Sequence, residues 1–183
     1  VFIDYYAKDT SKKIRAVVKM RGEAGEHIAS NPPYGYIKDP ENKKKWIVDE
    51  ESVKVVRRSF DLCIAGKGPM QIAKILTADK VLTVTAYNAR QKGWAMPDNL
   101  YQWCAKSVAG ILERQEYTGC TVNFKTYTKY LKFKKRMENP KENQRVFEDT
   151  QSAIIERGQW ERVQALRANK RRPTKTGKTS IFS

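Results

Sequence analysis

Four basic residues near the start of the chain recur at the spacing of one helical face. Lys8, Lys12, Arg15 and Lys19 follow steps of four, three and four residues. At about 100° per residue they fall within roughly 60° of one another. Such a row of cations can neutralise successive backbone phosphates, which fixes the position of a protein on nucleic acid without reading bases. The alternative is a solvated helix face, the commoner fate of a charge stripe.

A second group of candidates lies near the start of a helix predicted at about residues 103–114. Base readout needs side chains at a groove edge, usually from the exposed start of a helix. Trp103, Lys106 and Ser107 occupy such places, and Gln102 can add a bidentate amide contact to adenine. The alternatives are that Trp103 is a core residue and that Ser107 bonds only its own backbone.

A glycine turn carries a further cation. Lys67 lies between Gly66 and Gly68, so its ammonium group can donate to a phosphate beside the exposed N–H groups of a helix beginning near Pro69. The bland alternative, which we favour, is a turn that only connects two packed helices.

Basic residues are also dense near the end of the chain. Lys125 and Lys129 open a segment in which aromatic and basic residues alternate, and this segment is either a basic DNA-contacting arm or a strand pair with a buried aromatic side. Arg171 and Arg172 belong to a stretch that suits a linker along the minor groove. A disordered chain end is the alternative for these two arginines.

The totals agree with a polyanionic partner. The 183 residues include 36 Lys or Arg against 20 Asp or Glu, for a net charge of +16, which attracts nucleic acid or an acidic membrane face. No apolar run approaches the ~18 residues of a membrane helix, so we expect a soluble cytoplasmic protein with double-stranded DNA as its partner. We expect no membrane association and no small-molecule substrate.

Cysteine and histidine offer no metal site. Cys63, Cys104 and Cys120 are odd in number and widely spaced, which argues against a disulfide framework or a paired-cysteine metal site. Cys63 and Cys104 are predicted to be buried on apolar helical faces. His27 has no companion at a metal-ligand or nucleophile spacing, and we predict a surface residue at a helix end.

The elements that position these residues follow from periodicity and turn chemistry. A helix is predicted from Phe2 to about Glu26, with an apolar face opposite the basic stripe that packs on protein. The following elements are a β-hairpin at 34–38 and 44–48, a helix capped by Asp49, a helix from Pro69, a loose connection over 81–99, the helix at 103–114, strands at 117–124 and 146–148, and a helix at 157–170. The fold class is α+β and mainly α: a small helical domain with a β-hairpin, preceded by a long helix and followed by a basic arm or strand pair and a terminal helix.

Six stretches in this order resemble the C-terminal part of the large serine recombinases, the serine integrases and transposon recombinases. They are Tyr5 to Ile14 (YYAKDTSKKI), Pro33 to Tyr36 (PYGY), Val48 to Glu51 with Val56 to Phe60 (VDEE, VRRSF), Gly66 to Gly68 with Ile72, Ala73 and Leu76, Ile111 and Leu112 with Tyr117 to Gly119 (YTG), and Ala153 to Ile155 with Trp160 to Val163 (AII, WERV). Each stretch is weak alone, and six in register are a strong signal.

The resemblance implies a division of the chain and a role for it. Residues 1–30 correspond to the end of a long connecting helix, residues 31–124 to the DNA-binding recombinase domain, and residues 125–183 to a basic arm, helix and linker that lead into a zinc-ribbon domain. It also implies that the catalytic serine lies upstream, that zinc is held in the adjoining downstream domain, and that this fragment has neither catalysis nor a cofactor of its own. The full-length parent is expected to be a serine site-specific recombinase that self-associates.

Two other classes of function stay open from the residues. An RNA-binding or protein-assembly module would share the charge, but the sequence lacks aromatic residues on adjacent strands for base stacking. A self-sufficient nuclease would need carboxylates that converge on one site, whereas those of this chain are scattered over predicted helix caps and turns.

Overall fold

Six helices and three pairs of short antiparallel strands make up the described part of the chain, residues 2–128 and 135–169 of a computed structural model. The elements are α1 (Phe2–Glu23), β1 (Tyr36–Lys38), β2 (Trp46–Val48), α2 (Ser52–Ile64), α3 (Pro69–Ala78), α4 (Val84–Lys92), α5 (Ala105–Glu113), β3 (Thr121–Asn123), β4 (Thr126–Thr128), β5 (Arg136–Glu138), β6 (Arg145–Phe147) and α6 (Arg157–Asn169). The predicted fold class, α+β and mainly α, is confirmed.

The chain divides into two units. Unit 1 is built from the described residues up to 57 and from 114 to 156, and unit 2 from those between 58 and 113 and from 157 to 169. Unit 1 therefore contains α1, the beginning of α2 and all the strands, whereas unit 2 is helical. The division predicted at 1–30, 31–124 and 125–183 concerns functional segments and stays a prediction.

The C-terminal end of α1 is held in unit 1 by strand β3. The amide of the buried Asn123 donates to the carbonyl oxygens of Gly22 and Glu26 at 3.1 and 2.9 Å. A Cβ atom at Gly22 would overlap the ring of Phe124, so a larger residue here would require this ring to shift. Carbonyls in the last turn of a helix have no partner within it. The bond to Gly22 therefore fixes the end of α1 to the strand, and the bond to Glu26 fixes the chain just beyond the helix.

Tyrosines from distant parts of the sequence form the centre of unit 1. The hydroxyl of Tyr36 donates to the carbonyl of Ser152 at 2.7 Å, and the hydroxyl of Tyr117 donates to the carbonyl of Tyr34 at 2.6 Å. Burial raises the pKa of both Tyr36 and Tyr117. Each buried hydroxyl is thus paired, which lets a polar atom enter the core at little cost.

The start of α2 confirms the cap predicted from the sequence. A carboxylate oxygen of Asp49 accepts from the backbone N–H of Ser52 at 3.3 Å and also from the hydroxyl of Ser52. The hairpin before it is confirmed as well, since β1 and β2 pair with Ile37 opposite Ile47. The turn that closes α2 leads to Pro69, which begins α3 as expected.

Unit 2 packs α3 against α5, with α6 alongside α5. Its buried side chains come from five helices and from the segment before α5, and the largest of them are Phe60, Ile72, Leu76, Tyr87, Trp103, Val108, Ile111, Leu112 and Val163. The apolar faces predicted for α2, α3, α5 and α6 supply most of this core, so periodicity located it correctly.

Helix α4 corrects the sequence prediction of a loose connection over residues 81–99. It spans Val84–Lys92, begins where the hydroxyl of Thr83 accepts from the N–H of Ala86 at 3.3 Å, and ends at Gly93 with φ of +65°. Its buried residues are Ala86, Tyr87 and Ala89. Two of the three are alanines, so no stripe of large apolar residues marks the helix in the sequence.

Three further predictions are wrong in detail. His27 is half-buried rather than at the surface, because its ring stacks on Trp46 with 3.6 Å between ring centroids. Cys104 is exposed, because it precedes α5 instead of lying on its buried face. The strand predicted over 117–124 is divided, since Gln115–Thr118 forms a 3-10 turn that ends at Gly119 and β3 follows it.

Candidate nucleic-acid interface

The basic stripe on α1 is exposed to solvent along its whole length. Lys8, Lys12, Arg15 and Lys19 are all exposed, and the helix is continuous from Phe2 to Glu23. At a rise of about 1.5 Å per residue, the four side chains extend over roughly 16 Å of the helix axis. That length corresponds to several phosphates of a duplex, which carries one charge per about 1.7 Å of its axis.

Ion pairs separate the cations of α1 into two classes. Among the described residues, no carboxylate forms an ion pair with Lys12 or Arg15, and the guanidinium of Arg15 donates to the hydroxyl of Ser11 at 3.0 Å. Lys19 lies 3.8 Å from Glu23, whereas Lys13, outside the stripe, pairs with Asp9 at 2.9 Å. Lys12 and Arg15 are therefore the members of the stripe best able to meet an external anion.

The opposite face of α1 differs from the prediction that it packs on protein. Tyr6, Ile14 and Val17 are exposed, and only the end of the helix near Gly22 is buried. The sequence identified the apolar stripe correctly but not its environment, because periodicity shows which residues share a face and not what covers that face.

The end of α1 carries cations that are already neutralised. The guanidinium of Arg21 and the ammonium of Lys44 lie 2.6 and 2.9 Å from the two carboxylate oxygens of Glu26. Hydrogen bonds from Arg21 and from Lys44 hold the pKa of Glu26 below its ordinary value. These two cations connect the helix end to the hairpin instead of facing solvent alone.

Lys67 is exposed in the turn before α3, and no described carboxylate forms an ion pair with it. The N–H of Gly68 donates to the side-chain oxygen of Gln71 at 3.0 Å, and Pro69 has no N–H. Two backbone positions at this helix start are thus unable to donate to a phosphate. The arrangement fits the connecting turn better than the anion site.

The residues predicted at the start of α5 divide into buried and exposed ones. Trp103 is buried, and its indole N–H donates to the carbonyl of Val81 at 3.0 Å, which favours the alternative of a core residue. Gln102 and Lys106 are exposed. Their positions are therefore the ones from which this helix start can reach a base or a phosphate.

The hydroxyl of Ser107 makes a local contact within the same turn, close to the alternative given for this residue, in which it bonds only its own backbone. It lies 3.2 Å from the thiol sulfur of Cys104, and the backbone N–H of Ser107 donates to the carbonyl of Cys104 at 3.1 Å. Hydrogen bonding to the thiol, first from the Ser107 hydroxyl and then from the Ser107 backbone N–H, lowers the pKa of Cys104. Ser107 thus stabilises the first turn of α5.

Lys125 is committed to a buried carboxylate. Its ammonium group lies 2.6 Å from Glu116, whose side chain is 8% exposed. Strands β4 and β5 follow at once, with Tyr127 opposite Met137, and both strands are exposed. The segment is a strand pair at its base, and the ion pair holds that base in unit 1. Lys129, Arg171 and Arg172 lie outside the described residues.

Asn123 and Glu116 hold candidate interface elements in place, and the sequence analysis did not identify them. Asn123 bonds carbonyls 97 and 101 residues away, and Glu116 pairs with Lys125 across a 3-10 turn and a strand. Neither residue belongs to a motif with a recognisable spacing. Both are single polar residues in or beside a short strand segment, a pattern that is common at protein surfaces.

Metal chemistry finds no support in the described ranges. Within residues 2–128 and 135–169, no three His, Cys, Asp or Glu side chains are close enough to hold a metal ion. The side chains of Cys63, Cys104 and Cys120 therefore do not fit a zinc site in these ranges. In the same ranges no helix is long and apolar enough to cross a membrane.

A protein family and several solved structures are similar to this chain. A protein-family model described as Recombinase matches residues 50–170, more than half of the chain. The crystal structure of an LSR–DNA complex aligns with a TM-score of 0.48 and 16% identity over 92% of this chain and 43% of that one. A structure concerned with sequence requirements of the Listeria innocua prophage attP site aligns with a TM-score of 0.46 and 17% identity, over 92% and 56%. This chain spans less than two thirds of either.

Proposed function

Since the chain belongs to the Recombinase family, we propose that it is the DNA-binding region of a site-specific serine recombinase. In this proposal it recognises attachment-site or transposon-end DNA and positions a serine catalytic domain, located upstream in the parent protein, for strand exchange. The chain itself supplies binding and orientation. The bond-breaking chemistry belongs to the parent.

One observation carries the proposal: the exposed stripe of Lys8, Lys12, Arg15 and Lys19 on α1. Lys12 and Arg15 have no ion-pair partner among the described carboxylates, so no salt bridge must be broken before they meet phosphates. Each phosphate that they neutralise releases condensed counterions, which is the main source of affinity in such interfaces. A net charge of +16 adds long-range attraction to the same partner.

Positioning and reading are assigned to different parts of the chain. The α1 stripe would contact the sugar–phosphate backbone, which sets the position of the protein but carries no sequence information. Gln102 and Lys106, which are exposed near the start of α5, would contact base edges, since an amide pairs with adenine and an ammonium group with guanine. Double-stranded DNA is thus the proposed partner, in a bacterial cytoplasm, with self-association as a property of the parent protein.

A titration of the intact chain against duplex DNA tests the proposal. Fluorescence anisotropy of a labelled duplex, repeated over a range of salt, should give a logarithmic affinity that falls linearly with the logarithm of salt, by about 0.9 per neutralised phosphate. Binding that ignores salt contradicts the proposal. So does displacement of the duplex by an equal mass of structured RNA, which would favour the RNA-binding alternative.

A further inference from the structure

The loop between α4 and α5 exposes three large apolar side chains within eight residues. Trp94 is 61% exposed, Met96 45% and Tyr101 39%. Isolated apolar side chains are normal on a protein surface, but a group of them marks a binding site. Tryptophan is the side chain with the largest apolar area to gain from a partner. The loop is therefore a candidate interaction surface of unit 2.

The backbone presents Trp94 in a fixed position. Gly93 adopts the left-handed conformation that ends α4, its N–H donates to the carbonyl of Arg90, and the N–H of Trp94 donates to the carbonyl of Ala89 at 2.9 Å. This is a Schellman cap, in which the residue after the glycine usually packs back on its helix. Here that residue faces solvent, although its backbone is as constrained as in any such cap.

The other end of the loop is fixed as well. The N–H of Thr83, at the start of α4, donates to the carbonyl of Leu100 at 2.8 Å. The N–H of Trp103 is also bonded, to the hydroxyl of Thr77 at 3.0 Å. A loop anchored at both ends loses little conformational freedom when it binds a partner, so its exposed side chains can contribute most of their contact energy to affinity.

The charges around the loop select an anionic partner. Residues 80–106 include four cationic side chains and one carboxylate, Asp98. The ammonium group of Lys92 lies 4.5 Å from the centroid of the Trp94 ring, so a cation and an aromatic face are presented together. A second copy of this chain would bring the same cations and be repelled. Duplex DNA offers phosphates for the ammonium group and apolar sugar and base edges for the ring.

We propose that residues 92–101 form a further contact with duplex DNA, in which Lys92 faces a phosphate while Trp94 packs on sugar and base edges. This contact rests on the proposed function and extends it, because the loop adds an apolar ring to the α1 stripe and to the polar side chains of Gln102 and Lys106.

Two readouts on the intact chain test the contact. The first is the affinity for a fluorescein-labelled duplex of random sequence several helical turns long. It is measured for the unmutated chain and for the variants Trp94→Ala and Met70→Ala. Met70 is the matched control, since it is apolar, 59% exposed and in the same unit. Trp94→Ala should weaken binding about tenfold, the equivalent of ~1.4 kcal/mol, and Met70→Ala should leave it within about twofold.

The second readout is tryptophan fluorescence. Of the four tryptophans, Trp46 and Trp103 are buried and Trp160 is half-buried, so quenching by acrylamide reports chiefly Trp94. Duplex DNA should protect this tryptophan from acrylamide, and Trp94→Phe should lose the protection while it retains affinity. The retained affinity shows that an aromatic ring, and not the fold, is what the loop supplies.

The outcomes separate this contact from the proposed function. If the unmutated chain binds the duplex without protection of Trp94, and Trp94→Ala binds equally well, the loop contact is overturned and the proposed function stands. If the unmutated chain does not bind the duplex at low salt, both are overturned. If Trp94→Ala changes only the sedimentation of the free protein, the loop is a protein interface and the DNA contact is overturned.

Discussion

Removal of single cations from α1 gives the most direct measure of the proposed DNA contact. Lys12→Ala and Lys13→Ala each remove one positive charge from adjacent positions of the same exposed helix, and alanine preserves helix propensity. The two side chains project about 100° apart, so only Lys12 belongs to the stripe. Lys13 is also paired with Asp9 at 2.9 Å. The pair of variants therefore separates the location of a charge from its mere presence.

The expected magnitude follows from counterion release. Each lost phosphate contact reduces the magnitude of the slope of log affinity against log salt by about 0.9. Lys12→Ala should therefore reduce this slope by about 0.9, and Lys12→Ala/Arg15→Ala by about 1.8. A fourfold increase in salt is about 0.6 of a decade. Over that range the affinity of the unmutated chain should fall by a factor roughly 12 times larger than the affinity of the double variant, whatever the total number of contacts.

The assay is fluorescence anisotropy of a labelled duplex at four or more salt concentrations, with circular dichroism to confirm that helix content is unchanged. Lys13→Ala should give the same slope of log affinity against log salt as the unmutated chain. If Lys12→Ala and Lys13→Ala reduce the slope equally, affinity depends on net charge alone, and the argument for a stripe aligned with phosphates is refuted.

Three further predictions concern the supports of unit 1. Asn123→Ala removes two hydrogen bonds from the end of α1 and should lower the free energy of unfolding by about 2–3 kcal/mol in urea titration; a change near zero would mean that water replaces the amide. Burial lowers the pKa of His27 below its ordinary value of 6.5, so the unfolded state takes up the proton first and stability should fall as pH drops through about 6.5. His27→Gln should flatten that part of the Tm profile, and an identical profile would contradict the reasoning. Lys125→Ala leaves the buried carboxylate of Glu116 without its cation and should lower the free energy of unfolding by about 2–3 kcal/mol in urea titration. Glu116→Gln should lower it less, because the side chain of Lys125 is 40% exposed and its ammonium group can be hydrated; the reverse order would show that the buried carboxylate is not what makes loss of the pair destabilising.

The resemblance to the large serine recombinases, inferred from short motifs, is confirmed at the level of the family. The local elements were also predictable where strong local rules apply. The Asp49 cap, the Pro69 helix start and the hairpin at Ile37 and Ile47 each depend on residues within a few positions of one another. The assignment of individual residues to the interface is a different matter, since the predicted DNA contacts stay predictions.

Helix α4 shows where local rules fail. Its cap at Thr83 and its stop at Gly93 are ordinary signals, but the intervening residues lack the repeated large apolar side chains by which periodicity is recognised. The two alanines are nevertheless buried. A helix of this kind is defined by the space available to it, which the sequence does not display.

What the sequence by itself determined is the set of properties that repeat every three or four residues: the course of α1, its row of cations, and the apolar faces of α2, α3 and α5. The tertiary structure decided which charges and rings remain available. Lys125 is taken by Glu116, Trp103 is buried, and Trp94 is exposed. The physical reason is range: a helical face depends on neighbours one turn away, whereas a buried ion pair or a covered ring depends on groups that only folding brings together.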